Sequence, residues 1–151
     1  MRAVMPVMQE LVINARSEVH ILAYVITRAA TPLLQLLEQA LSRGVRVTVV
    51  VNVIPGQPLE MSAELRRLAS EFQHAKIRVF DDEEGSQLHA KVLIADRQRA
   101  VIGSANYSWG GLVANHEMGV LVDDRMAWEL AELTDRLAAA AAPIMEGNSG
   151  G

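Results

Sequence analysis

Residues 88–106 read Leu-His-Ala-Lys-Val-Leu-Ile-Ala-Asp-Arg-Gln-Arg-Ala-Val-Ile-Gly-Ser-Ala-Asn, and this stretch decides the fold. Residues 88–95 are aliphatic and β-branched with polar side chains interleaved, a strand pattern. A period of two puts His89 and Lys91 on one face, with Ala90, Val92 and Ile94 on the other. The chain turns at Asp96-Arg97-Gln98-Arg99 and returns through Ala100-Val101-Ile102. With Arg97-Gln98 as a two-residue loop, His89 falls opposite Asn106 and Lys91 opposite Ser104. Opposed side chains on one face lie roughly 5 Å apart at Cβ. An imidazole, an ammonium, a hydroxyl and an amide then converge on one patch that suits an anionic tetrahedral group such as a phosphodiester. Gly103 lets the backbone bend or approach a ligand closely.

The flanking sequence supplies the rest of the sheet. Residues 18–26 form a nearly all-apolar run, a buried strand in which His20 reads as a hydrogen-bonded core histidine. Residues 45–53 are a β-branched run stopped by Pro55-Gly56, and residues 76–80 a short strand. Helical spacing appears at 6–16 and at 59–73. It appears also from Thr31, a cap with Pro32 at the first position, to Gly44. Alternating helices and strands at this spacing mean crossover connections. After the hairpin come a loop with Tyr107 and Trp109, a strand at 117–122, and a final helix capped by Asp123 or Asp124. Met126, Leu130, Leu133 and Leu137 make the apolar face of that helix. The expected fold is α/β, a mixed, mostly parallel sheet with helices on both faces. One domain covers residues 1–142, and 143–151 reads as a disordered tail.

Composition narrows the function. The 151 residues are 50% hydrophobic and 21% charged, which fits one globular domain with a sizeable core. No apolar run reaches 18 residues, so no membrane span is expected. The N-terminus carries no recognisable signal peptide. Cysteine is absent, which excludes disulfides and thiolate metal sites and fits a reducing, cytoplasmic setting. The histidines lack zinc spacing, and Asp81-Asp82-Glu83-Glu84 lacks a calcium-loop pattern, so neither metal nor other cofactor is expected. That acidic run reads as a solvated loop. A net charge of −4 argues against extensive nucleic-acid wrapping but leaves room for a local basic cleft.

The pattern His89-x-Lys91-x4-Asp96, followed six residues later by Gly103-Ser104-x-Asn106, resembles the signature of the phospholipase D superfamily. The likeness covers roughly residues 6–141 and is nearest to that superfamily's small single-motif bacterial endonucleases. The short pattern occurs a second time, at His74-Ala75-Lys76 through Asp81. There His74 and Lys76 straddle a helix-to-strand junction, and Gly85-Ser86-Gln87-Leu88 follows too soon and lacks the asparagine. The resemblance also implies that Glu117 orients the histidine and that catalysis needs no metal. Members of the family usually open with a strand ahead of the first helix, whereas this chain begins at the helix.

A phosphodiester transition state needs fixed positive charge and donors, which Lys91, Asn106 and Ser104 can supply. Imidazole, with a pKa of about 6.5, is a competent nucleophile near neutrality, so His89 would form a phosphohistidine. The leaving oxygen needs a proton from the opposite side of the displacement. Superfamily members with two motifs supply that second histidine internally. With one motif, this chain is expected to pair as a homodimer. Asp96 lies past the strand end and is expected to secure the hairpin. Tyr107 and Trp109 are candidate stacking groups for a base; His116 reads as structural. The leading expectation is a nuclease acting on DNA before RNA. The alternatives are a phospholipase or phosphatidyl transferase, and a nucleic-acid-binding subunit of a larger, defence-related complex.

Overall fold

A computed structural model describes residues 4–23, 26, 28–52, 59–80, 91–103 and 119–144. In chain order these form α1 (Val4–Asn14), β1 (Glu18–Ala23), a single 3-10 turn (Arg28–Ala30), α2 (Thr31–Ser42), β2 (Arg46–Asn52) and α3 (Leu59–Glu71). Then come β3 (Ala75–Phe80), β4 (Lys91–Ala95), β5 (Arg99–Gly103), β6 (Gly119–Asp123), α4 (Asp124–Ala140) and β7 (Ala142–Pro143). The strands make one sheet in the order β6-β5-β4-β1-β2-β3-β7. It is mixed, as expected, but not mostly parallel: β1, β2 and β3 pair in parallel, and the other four pairings are antiparallel, because β4 and β5 join through a hairpin and only β1, β2 and β3 through the crossovers α2 and α3.

Strand alternation sorts the core into two layers. Val19, Ile21, Ala23, Val49, Val51, Ile77, Leu93, Ala95 and Val101 face α1, α2 and α3. Leu22, Val50, Val92, Ile94 and Ala100 face α4. β1 and β2 are buried on both faces, which is why their sequence is almost wholly apolar, with only His20 and Thr48 interrupting the runs. Gly44 ends the turn after α2 at φ +94°, where a residue with Cβ would be strained. Arg43 reaches back from there, and its Nη2 donates to the carbonyls of Val12, Ile13 and Ala15, the last turn of α1.

Four sequence expectations need correction. The helix expected to be capped by Thr31 starts at that residue; the Thr31 hydroxyl donates to the Arg28 carbonyl at 2.8 Å and caps no N–H. Residues 143 and 144 are not tail: Pro143 pairs with Arg78, and the Ile144 N–H donates to the Ile77 carbonyl at 2.9 Å. α4 buries Ala127, Ala131, Thr134 and Ala138, whereas Met126 and Leu133 are 50% and 40% exposed. Small side chains let the helix lie close to the sheet; of the expected face Leu130 and Leu137 pack partly against that layer, while Met126 and Leu133 are left exposed on the flank.

The fourth correction is the hairpin register. Lys91 pairs with Gly103, not Ser104, and Ala95 with Arg99. The tight turn is centred on Asp96 and Arg97, whose φ angles are +53° and +57°, and the Gln98 N–H donates to the Ala95 carbonyl at 3.0 Å. Gln98 is an additional loop residue, which shifts the whole ladder by one. The proposed pairing of His89 with Asn106 rested on the same register, and both residues lie outside the described ones.

Candidate active site

Cross-strand pairing lines up one row of residues near one edge of the sheet: Gly119, Gly103, Lys91, Ala23, Val51 and Val79. Lys91 stands between Gly103 on one side and Ala23 on the other. Its side chain leaves the face shared by Leu93 and Ala95, toward α1, α2 and α3. Neighbours with no side chain or a single methyl leave space around the ammonium stem.

This edge is where β1, β2 and β3 end and where β4 begins, a reversal of strand order of the kind at which α/β sheets bind ligands. Because α2 and α3 are crossovers between parallel strands, each begins at this edge. α1 does too: a Cβ placed on Gly119 would meet Val4 Cγ2 at 2.7 Å, so the first turn of α1 sits over that end of the row. Three helices therefore turn their N-terminal, positive dipole ends toward this end of the sheet.

Asp96 lies at the other end of β4. Its carboxylate accepts hydrogen bonds from the N–H groups of Arg16, Ser17 and Glu18 and from the Ser17 hydroxyl, at 2.7 to 3.2 Å. Burial pushes its pKa up, but the four donors outweigh that and hold it below the usual value. It clasps the hairpin to the segment between α1 and β1, as its sequence position suggested.

Beside it, Arg97 makes ion pairs with Glu18, Glu132 and Asp135. Asp135 also shares a 2.9 Å hydrogen bond with Nε2 of His20, which is 3% exposed. His20 is thus a hydrogen-bonded core histidine at the structural end of the sheet. Asp135 resists protonation for a related reason: burial raises its pKa, and Arg97 and His20 more than offset that.

The second copy of the short motif is disposed differently. His74 sits in the turn between α3 and β3, and its Nε2 lies 2.8 Å from the Leu41 carbonyl. That turn is at the edge opposite Lys91, so His74 and Lys91 belong to different ends of the molecule.

Of the residues singled out in the sequence, Lys91, Asp96 and Gly103 are described, and only Lys91 and Gly103 come together. His89, Ser104, Asn106, Tyr107, Trp109, His116, Glu117 and the acidic run at 81–84 lie outside the described residues. One polar residue at this edge was missed. Asn52 ends β2 on the face of Val50, opposite that of Lys91, is 7% exposed, and its Oδ1 has no hydrogen-bond partner among the described residues. The available signal was a lone amide closing a run of valines. Among the described residues no cluster of His, Asp or Glu could hold a metal ion, and no helix is long and apolar enough to cross a membrane.

Residues 8–140 match the family described as cardiolipin synthase, PLD-like domain. The chain therefore belongs to the phospholipase D superfamily. Nuc from Salmonella typhimurium, a phospholipase D family member of known structure, superposes with a TM-score of 0.76, covering 93% of this chain and 90% of that one at 20% identity. The DISARM protein DrmC of Bacillus paralicheniformis is 30% identical over 125 residues, 81% of this chain. The virion nicking-joining enzyme of vaccinia virus is 32% identical over 96 residues, 64% of this chain. The chain spans 50% of the length of DrmC and 22% of that of the nicking-joining enzyme.

Proposed function

We propose that this chain is the catalytic domain of a metal-independent phosphodiesterase that cleaves nucleic acid, DNA before RNA, through a phosphohistidine on His89. The observation that supports it best is the row holding Lys91 between Gly103 and Ala23. The rest of the motif joins the chain at that row. His89 precedes Lys91 by two residues, Ser104 and Asn106 follow Gly103 by one and three, and Glu117 precedes Gly119 by two. Two residues span at most about 7 Å and three about 11 Å, so connectivity keeps these groups near one end of the sheet despite the shifted register. A nicking-joining enzyme among the relatives supports nucleic acid as the substrate.

In this reading a ring nitrogen of His89 attacks phosphorus while Glu117 accepts a hydrogen bond from the other ring nitrogen. The bond from phosphorus to the leaving sugar oxygen breaks, and that oxygen takes a proton from His89 of the partner subunit. Water, giving up a proton to that same second imidazole, then attacks the phosphohistidine and releases a phosphomonoester. Lys91, Ser104 and Asn106 stabilise the charge on the non-bridging oxygens.

A second copy has a surface to dock on. Met126 and Leu133 are exposed along one flank of α4, beside Leu130 and Leu137, which pack partly against the core. Glu132 and Asp135, on the opposite flank, turn toward Arg97 and the structural end. The apolar flank therefore faces the end with Lys91, next to Val120 of β6, which is 60% exposed.

That surface, and the family's description, also favour a lipid diester as the second reading. The deciding experiment incubates plasmid, single-stranded DNA, RNA and cardiolipin liposomes with the protein in EDTA. DNA cleavage by the intact chain and none by His89→Ala is the expected result. Equal cleavage by both would refute the mechanism, turnover confined to liposomes would move the substrate to lipid, and tight DNA binding without turnover would leave a binding subunit.

A further inference from the structure

We infer that the margin of the sheet formed by β3 and β7 is a second anion-binding surface, which holds the phosphate backbone of a nucleic acid away from the reacting diester. A groove of about 240 Å³ opens there, lined by Arg66, Lys76 and Arg78 together with Ser70, Pro143 and Ile144 among others, and by no acidic residue among the described residues. Arg66 comes from the outer flank of α3. Its neighbour Arg67 faces inward, to Glu38 of α2 and to Glu64 and Glu71. Lys76 and Arg78 leave β3 on the face opposite Ile77 and Val79, which pack into the core. The three cations therefore straddle the free margin of the sheet.

The three cations share one groove, whereas Arg16, Arg43 and Arg136, which also lack a carboxylate partner among the described residues, do not line it. Arg28, Arg46, Arg67, Arg97, Arg99 and Arg125 each have a carboxylate partner. Arg66, Lys76 and Arg78 have no ion-pair partner among the described residues, on a chain whose net charge is −4. Arg78 adds an independent signal, because its Nε is buried and has no acceptor among the described residues. A buried guanidinium donor calls for an oxygen ligand, and phosphate matches its geometry. Little apolar surface accompanies the charge: the two exposed residues of β7 are Ala142 and Pro143, and Ile144 is packed against the core. A membrane-binding face would carry exposed aromatic or aliphatic anchors beside its cations, so nucleic acid is the ligand favoured.

Position fits the same ligand. The row that holds Lys91 crosses β1 and β2 to reach Val79 at this margin, and the groove lies farther along β3, with Lys76 and Arg78 on the other face of the sheet. Three strand spacings amount to about 14 Å, the least a bound strand must cross before it rounds the margin. A strand rising about 3.4 Å per nucleotide needs more than roughly four nucleotides to do so. Short substrates would thus reach the active site alone, and longer ones both surfaces. The inference rests on the nucleic-acid reading above.

The test uses the full chain with Arg66→Gln and Lys76→Gln combined, leaving Arg78 in place because its Nε is buried. Affinity for a 20-nucleotide single-stranded DNA is measured by fluorescence anisotropy from 50 to 200 mM salt. The expected result is weaker binding and a log–log salt slope shallower by about 1.4, from two phosphate contacts at about 0.7 each. Binding of a three-nucleotide DNA, turnover of bis(p-nitrophenyl) phosphate and the thermal midpoint should match the parent. An unchanged slope and affinity for the 20-mer would overturn the inference. So would a loss confined to phosphatidylglycerol vesicles, which would make the groove a lipid surface. Should the parent cleave no diester while its 20-mer binding still depends on these cations, the groove stands and the nuclease reading falls. Cleavage with cation-independent binding gives the reverse.

Discussion

Lys91 and Asp96 belong to one motif yet serve opposite ends of β4. Asp96 is consumed by structure, since four donors from the segment before β1 fill its carboxylate. Its lowered pKa fixes the sign of a pH effect. The contribution is fully present above the unfolded carboxylate value of about 3.9 and is lost as pH falls through the lower folded value. Asp96→Asn should cost about 1–3 kcal/mol at pH 7, because an amide offers hydrogens where acceptors are needed. Urea unfolding of both proteins would show this, and the gap should narrow below about pH 4. A gap unchanged down to pH 2 would count against the clasp. Lys91→Met should act on rate, lowering kcat on a small diester by about 10²-fold or more, the usual effect of removing one transition-state donor. Steady-state kinetics on protein with an unaltered thermal midpoint tests it. Asp96's role was legible because it follows the last strand residue. The ion pairs of Arg97 were not, because its partners come from distant elements and its own φ is one that arginine rarely adopts.

Elements were readable where burial dictates residue type and misread where packing distance does. The apolar runs of β1 and β2 could be little else. α4 was read from its largest side chains, but a helix lying close on a sheet buries its smallest ones, Ala127, Ala131 and Ala138. The hairpin register escaped because neither Asp96 nor Arg97 announces a left-handed turn as Asn-Gly would. β7 escaped because two residues, one of them proline, carry no strand pattern. Close approach also governs β6. Gly119→Ala would press a methyl against Val4 at 2.7 Å, at the row that includes Lys91. It should cost about 1–3 kcal/mol, as overpacking usually does; chemical denaturation measures the loss, and Val4→Ala in the same chain should recover part of it. On α4, Leu133→Asp should leave the folded monomer nearly as stable, since the side chain is 40% exposed, while dissociating the proposed dimer. Analytical ultracentrifugation separates those two effects, and a dimer that survives the substitution would place the interface elsewhere.

For the whole molecule, the decisive matter is how many chains make one site. A single motif offers one imidazole, and an in-line displacement wants a nucleophile on one side of phosphorus and an acid on the other. The architecture itself followed from alternating elements, because crossover connections constrain the topology tightly. Among the described residues the proposed assembly would leave its trace in exposed apolar residues on α4 and β6, which a sequence reading assigns to the core. Subunit mixing tests it. Intact chain and His89→Ala are combined in equal amounts, unfolded together and refolded so that pairing is random. If each dimer has one composite site needing both imidazoles, only about one quarter of the dimers are competent. The activity per total chain is then a quarter of the parent value. Protomers working alone would retain one half. A titration of the inactive chain separates the cases further: activity per active chain falls in proportion to the active fraction when two histidines are required, and stays flat when one suffices. A flat line would mean that each chain completes its own chemistry, with the second proton donor sought among residues of the same chain.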